Sequence, residues 1–185
     1  QVVVTNLTNG CSTLANVQVT QSTDLPVVNL SASGNLDCTT TQVQLNGNGS
    51  SQGTGISFIW STLDGNILFG ENTLTPTVGA AGTYTLTLFD ANNNCENQES
   101  VAVTLDDATP TVLIPNAPTL DCGTTQTTLT ASIGNVQPNA DLSYAWSSSD
   151  GQFSGPTDVQ NPTAIDPGTY FLVVTNNENG CSSQA

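Results

Sequence analysis

Lysine, arginine and histidine are all absent from this 185-residue chain, which carries 15 aspartates and glutamates and a formal charge of −15. Soluble domains are about a quarter charged, with both signs interspersed; here only 8% of residues are charged. Each absence removes a kind of chemistry. Without histidine there is no side chain that titrates near neutral pH and no imidazole for a metal. Without lysine or arginine there is no Schiff-base amine, no phosphate clamp and no guanidinium fork for a carboxylate. Trypsin-like proteases find no cleavage site. Nucleic acid, whose phosphates demand Lys and Arg, is excluded as a partner, and anionic membrane surfaces are disfavoured. No apolar run approaches the roughly 18 residues of a membrane span, so no membrane insertion is expected. The natural counter-charges are small cations, and oxygen-rich acidic surfaces suit calcium. The acids are spread thinly rather than run together, which reads first as a soluble, self-repelling surface.

What the chain does have is Thr, Ser, Asn, Gln and Gly, interrupted by short alternating apolar segments. Those segments, with Trp60, Trp146, Tyr84 and Tyr170 at matching positions, argue for a folded chain rather than a disordered one. The five cysteines include no CxxC pair and have no histidine to share a zinc with. They read as disulfide-formers, which implies an oxidising compartment.

The chain repeats itself. Leu36-Asp37-Cys38 recurs as Leu120-Asp121-Cys122, and Phe58-Ile59-Trp60-Ser61 as Tyr144-Ala145-Trp146-Ser147. Gly82-Thr83-Tyr84 recurs as Gly168-Thr169-Tyr170, Asp64-Gly65 as Asp150-Gly151, and Cys95 as Cys181. The offsets are 84 to 86 residues, about the length of one small β-domain. At the N-terminus, Val3-Val4-Thr5-Asn6 and Asn9-Gly10-Cys11 match Val173-Val174-Thr175-Asn176 and Asn179-Gly180-Cys181. The expected organisation is therefore 1–23 as the last strands of one repeat, 24–107 as a complete repeat, and 108–185 as a second, truncated near its last strand. With no initiating methionine, the chain reads as a window on a longer tandem array.

Every periodic segment alternates with period two, and Asn-Gly or Asp-Gly pairs such as Asn46-Gly47 and Asp64-Gly65 supply the hairpin turns. About seven strands are expected per repeat. In the complete one, A lies near Val27 to Leu30, B near Gln42 to Leu45, and C carries Trp60. C′ to E lie between Ile67 and Val78, F runs from Thr83 to Phe89 and G from Ser100 to Leu105. In the second, Thr127 to Ala131 reads as strand. A Trp on the third strand and a Tyr opening the sixth, 24 residues later in both copies, is the core pattern of an immunoglobulin-like sandwich. Trp60, Tyr84, Trp146 and Tyr170 are accordingly assigned to the core rather than to a sugar platform.

These motifs together, Leu-Asp-Cys, aromatic-x-Trp-Ser, Pro-Thr-x-x-x-x-Gly-Thr-Tyr (Pro76 to Tyr84 and Pro162 to Tyr170) and Asn-Gly-Cys, resemble the PKD-like or Ig-like repeats of very large Bacteroidetes surface proteins. Gliding-motility adhesins and other products of type IX secretion belong to that group. The resemblance implies an extracellular, cell-surface rod or filament of repeated sandwiches, often adhesive, whose partners are neighbouring repeats of the same long chain. It transfers no catalytic residue. Asn93-Asn94-Cys95 departs from the Asn-Gly-Cys form, so that turn is expected to differ locally.

Three functions are weighed. A structural repeat of a filament or adhesin stalk fits the tandem period, the lack of reactive groups and the cysteines. A glycan- or calcium-binding adhesin module is the alternative: Asp106, Asp107, Asp141 and Glu178 would gather at one repeat junction, whereas the junction before it offers mainly Asp24 and Glu96. An enzyme would have only carboxylate pairs to work with, and the recurring acids Asp64 and Asp150 sit in turns. No cofactor is expected. Asn6, Asn29 and Asn48 open N-glycosylation sequons.

Spacing alone would pair Cys38 with Cys95 and Cys122 with Cys181, within repeats. Topology argues otherwise. Strands B and F run the same way on opposite sheets, so Cys38 lies at one end of its repeat and Cys95 at the other. They are separated by a strand of roughly 20–30 Å, while a disulfide needs Cα atoms within about 7 Å. In an end-to-end array Cys38 faces Cys181 across the junction, and Cys11, Cys95 and Cys122 are sent to further neighbours. The expected structural disulfide is Cys38–Cys181. Short linkers carrying Pro26 and Pro110 at the same register favour a semi-rigid connection.

Overall fold

The regular structure of residues 1–116 and 119–185, which a computed structural model describes, is all β-strand, and no helix forms among them. The chain opens with an antiparallel hairpin, β1 (Val2–Thr5) and β2 (Ser12–Ala15), in which Val2 stands opposite Ala15 and every strand residue is exposed.

The next repeat contains β3 (Ser31–Ala32), β4 (Leu36–Asp37), β5 (Val43–Asn46), β6 (Ile56–Thr62), β7 (Ile67–Phe69), β8 (Thr77–Val78), β9 (Gly82–Asp90), β10 (Cys95–Val103) and β11 (Leu105–Asp106). Two sheets face each other, in the orders β3-β5-β8-β7 and β10-β9-β6, and β4 pairs separately with β11. In sandwich lettering the two sheets are A-B-E-D and G-F-C, the strand order of a constant-type immunoglobulin sandwich. The pleat explains the core. β9 buries Tyr84, Leu86 and Leu88 and turns Thr83, Thr85 and Thr87 outward; β5 buries Val43 and Leu45. Leu36, Trp60, Val78 and Val103 complete this core.

The following repeat contains β12 (Thr111–Leu113), β13 (Thr127–Thr128), β14 (Ser132–Gly134), β15 (Leu142–Ser148), β16 (Thr163–Ala164), β17 (Tyr170–Asn176) and β18 (Ser182–Gln184). β15-β17-β18 is its C-F-G sheet. Opposite it, β12 pairs with β14, β13 with β16, and Phe153 bridges to Ala164, repeating the A-B-E-D succession with B divided in two. Its core is separate: Leu129, Ala131, Trp146, Ala164, Leu172 and Val174.

Three strand expectations are corrected. Strand A is Ser31–Ala32, not Val27 to Leu30. There the Ser50 hydroxyl accepts the Asn29 N–H at 2.9 Å and donates to the Asn29 carbonyl at 3.0 Å, replacing the strand ladder with side-chain bonds. Strand G starts at Cys95, five residues earlier than Ser100, because β10 pairs along the whole of β9. The segment from Thr127 to Ala131 is strand only at its first two residues. Beyond them the Asn161 side chain accepts the Ala131 N–H and the Gln160 side chain donates to the Ala131 carbonyl.

The aromatics hold these sandwiches from inside. Trp60 Nε1 donates to the Thr73 carbonyl and Trp146 Nε1 to the Val159 carbonyl, both at 3.1 Å. Tyr84 is fully buried; its hydroxyl accepts the Asn66 N–H at 2.9 Å and donates to the Ala80 carbonyl at 2.7 Å. Tyr170 is only partly buried, edge-on to Phe153 with ring centroids 5.1 Å apart.

Candidate functional site

Two turns, one from each repeat, meet at the junction. The first follows β4. One Asp37 carboxylate oxygen accepts the N–H groups of Thr39 (2.8 Å) and Thr40 (2.6 Å) and the Thr39 hydroxyl (2.7 Å). The Asp37 N–H donates in turn to the Thr40 carbonyl at 3.1 Å. Donors converging on the charged form hold this carboxyl below the usual carboxylate range, with the Thr39 hydroxyl the largest cause. The turn thereby presents Cys38 in one orientation.

The second turn joins β17 to β18. Asn176 N–H reaches the Cys181 carbonyl at 2.9 Å, Gly180 N–H reaches the Asn176 carbonyl at 2.8 Å, and Cys181 N–H reaches the Asn179 side-chain oxygen at 3.0 Å. Asn179 is only 2% exposed. Its amide Nδ2 donates to the Asp106 carboxylate at 2.9 Å and to the Ala108 carbonyl at 3.0 Å, tying the turn to the inter-repeat linker. The linker in turn lies against the first turn, since β11 pairs parallel with β4, Leu105 beside Leu36 and Asp106 beside Asp37.

These bonds bring the cysteines together. Cys38 N–H donates to the Asn179 carbonyl at 3.1 Å. Cys38 and Cys181 form a disulfide with Cα atoms 5.2 Å apart, closing a sequence separation of 143 residues. Cys181 is almost wholly buried. The within-repeat alternatives do not form: Cys95 and Cys122 are free thiols, as is Cys11. Cys95 opens β10 opposite Asp90 at the far end of its strand pair from Val103, which leads toward the junction. That separation is why Cys38 cannot reach it.

Of the candidate cation ligands, Asp106 and Glu178 line one polar cleft of about 150 Å³, with Asn135, Gln137, Asn176 and Asn179. Asp107 and Asp141 are not among its lining residues. The Asp106 carboxylate is already engaged by Asn179. Among the described residues no group of three or more acidic, cysteine or histidine side chains is placed to hold a metal. At the earlier junction the Asp24 carbonyl, rather than its carboxylate, is the anchoring atom: it accepts Asn93 Nδ2 at 2.8 Å. Asp64 and Asp150 accept the N–H groups of Thr83 and Thr169, each at 2.8 Å, and so organise turns. The sequon residues Asn6, Asn29 and Asn48 are exposed.

Asn179 and Asp106 as a bonded pair, and Thr39 as the residue packed over Gly180, are the parts of this site that sequence reasoning missed. A signal for Asn179 existed: Asn recurs two residues before Cys11, Cys95 and Cys181.

No family model matches the chain. No curated protein matches it either. Among solved structures it is similar to the titin domains Z1Z2 in complex with telethonin, at 12% identity over 89% of this chain and 95% of that one, with a TM-score of 0.32. It is also similar to the adhesin InvE of Yersinia pseudotuberculosis, at 16% identity over 85% of this chain and 57% of that one, with a TM-score of 0.27.

Proposed function

We propose that the chain is a load-bearing stretch of an extracellular filament or adhesin stalk at a cell surface, made of tandem repeats like the PKD-like ones its motifs resemble. The observation that carries this reading is the Cys38–Cys181 disulfide between repeats. Neither sandwich needs that bond for its own core, because the two hydrophobic clusters are separate. Its effect falls on the connection. Tension between adjacent repeats passes through two covalent routes, the Asp106 to Pro110 linker and the disulfide, with Asn179 and the β11–β4 pairing between them. Disulfides persist in oxidising surroundings, which supports reading the protein as one that works outside the cytosol. In this reading 1–23, 24–107 and 108–185 are successive repeats, partners are neighbouring repeats, and the lack of basic residues protects the rod from trypsin-like proteases.

Small-angle scattering of the oxidised and reduced chain tests it. The oxidised chain is expected to scatter as a semi-rigid body and the reduced chain to gain hinge motion at the junction. A freely jointed profile in both states would refute the load-bearing role.

A further inference from the structure

The two outer turns, at Cys95 and Cys122, repeat the construction of the two that meet at the junction. Cys95 N–H donates to the Asn93 side-chain oxygen at 2.9 Å, and Asn93 Nδ2 donates to the Asp24 carbonyl at 2.8 Å. These are the bonds that Asn179 makes to Cys181 and Ala108. At the other turn the Asp121 carboxylate accepts the N–H groups of Gly123 (2.8 Å) and Thr124 (2.7 Å), as Asp37 does from Thr39 and Thr40. The same positions one repeat away are covalently joined, whereas Cys95 and Cys122 are free, Cys95 half-buried and Cys122 exposed.

The steric fit is exchanged between the two sets. At the formed junction the glycine lies in the Cys181 turn: a Cβ on Gly180 would stand 2.2 Å from Thr39 Cγ2. In the Cys95 turn the matching residue is Asn94, which has a Cβ and keeps the same left-handed backbone, φ 57° against 69° for Gly180. In the Cys122 turn the residue matching Thr39 is Gly123. A threonine opposite Asn94 would collide with it; a glycine leaves room.

We infer that Cys95 and Cys122 are the two halves of a second disulfide junction of swapped sterics. Cys95 receives a Leu-Asp-Cys turn in which glycine follows the cysteine, on a module of the same construction. The chain itself carries one such turn, Leu120-Asp121-Cys122-Gly123. This inference rests on the tandem-array reading and names the partner it requires. The bond forms by exchange with a low-molecular-weight disulfide. One cysteine thiolate attacks it and expels a thiolate, and the second attacks the mixed disulfide and expels another. The two protein thiols are oxidised, and the small disulfide is reduced to two thiols, which take up the protons.

The test uses the full chain with Cys11→Ser, leaving one free turn of each kind, incubated at high protein concentration with glutathione disulfide. Interchain links are mapped after digestion with a non-tryptic protease. Cys95–Cys122 is expected to predominate over Cys95–Cys95 and Cys122–Cys122, because only unlike turns can dock as the Cys38 and Cys181 turns do. Gly123→Thr should lower the Cys95–Cys122 yield by about tenfold, the ratio that a modest overpacking cost produces, and adding Asn94→Gly should restore it. A statistical mixture of the three pairs, no interchain link, or no rescue by Asn94→Gly would overturn the inference. Cys38–Cys181 mapped in every sample reports that the fold is intact. If only the outer pairing fails while that bond persists, the proposed function still stands or falls by the scattering result.

Discussion

Thr39 closes over Gly180 across the repeat junction, so that a Cβ at position 180 would lie 2.2 Å from the Thr39 methyl carbon. Gly180 also holds a left-handed backbone, φ 69°. Gly180→Ala therefore meets two penalties, about 1–2 kcal/mol for the backbone and about 1–3 kcal/mol for overpacking. Adding Thr39→Gly should recover only the second. Thermal denaturation of the oxidised single and double variants reads this directly. A double variant no more stable than Gly180→Ala would show that Thr39 is not the obstacle.

Reduction, or Cys38→Ser, should uncouple the two sandwiches. Closing a loop longer than a hundred residues is worth about 4–5 kcal/mol in the chain-entropy description. Calorimetry should show the native transition moving down and dividing into one per repeat. An unchanged thermogram after reduction would mean that the linker and Asn179 alone couple the repeats.

Trp146 is 5% exposed and donates to the Val159 carbonyl. Trp146→Ala should cost its own repeat about 3–5 kcal/mol, the usual range for emptying a buried aromatic site. Because the two cores are separate, the transition of the first repeat should barely move. Unfolding followed by Trp60 fluorescence, the only indole then left, makes the distinction.

Tyr84→Phe removes a hydroxyl that accepts from Asn66 N–H and donates to the Ala80 carbonyl. Leaving a half-buried donor and acceptor unpaired should cost about 1–3 kcal/mol. The measurement is urea denaturation, with a falling midpoint at constant slope. Tyr170→Phe should be milder, since Tyr170 is less buried.

Asp37 and Asp121 both ionise below the usual carboxylate range. For Asp37 the Thr39 hydroxyl is the main cause, and for Asp121 the Thr124 N–H followed by that of Gly123. A depressed folded-state value means stabilisation that is complete above the ordinary Asp value and is lost as pH falls through the depressed one. Acidification also relieves the repulsion of fifteen acids, so the comparison is with Asp37→Asn at each pH. The native chain should be the more stable at neutral pH, with the difference closing below the ordinary Asp range. The effect is small, because both carboxylates are exposed. A difference that persists in acid would assign it to something other than charge.

Much of the fold was legible along the chain. Val43-Gln44-Leu45 and Tyr84 to Leu88 announce strands by alternation. Trp60 and Tyr84, repeated as Trp146 and Tyr170, announce the sandwich, and the direction of B relative to F leads to Cys38 facing Cys181. Other elements were not legible. Residues Val27 to Leu30 look like strand, yet the Ser50 hydroxyl takes over the bonds a neighbouring strand would make. Asn93-Asn94-Cys95 looks like a different turn from Asn179-Gly180-Cys181, yet Asn94 adopts the glycine-like backbone, because asparagine tolerates positive φ.

By itself the sequence determined the period of each element, the turns between them, the repeat length and the chemistry excluded by missing basic side chains. These are local properties, governed by backbone sterics and side-chain burial within a few residues. Only the tertiary structure decided that Asn179 bonds Asp106 and that Thr39 requires glycine at 180. Such contacts join residues far apart in the chain. They depend on how two finished sandwiches meet, and a shift of an ångström there separates a hydrogen bond from a collision.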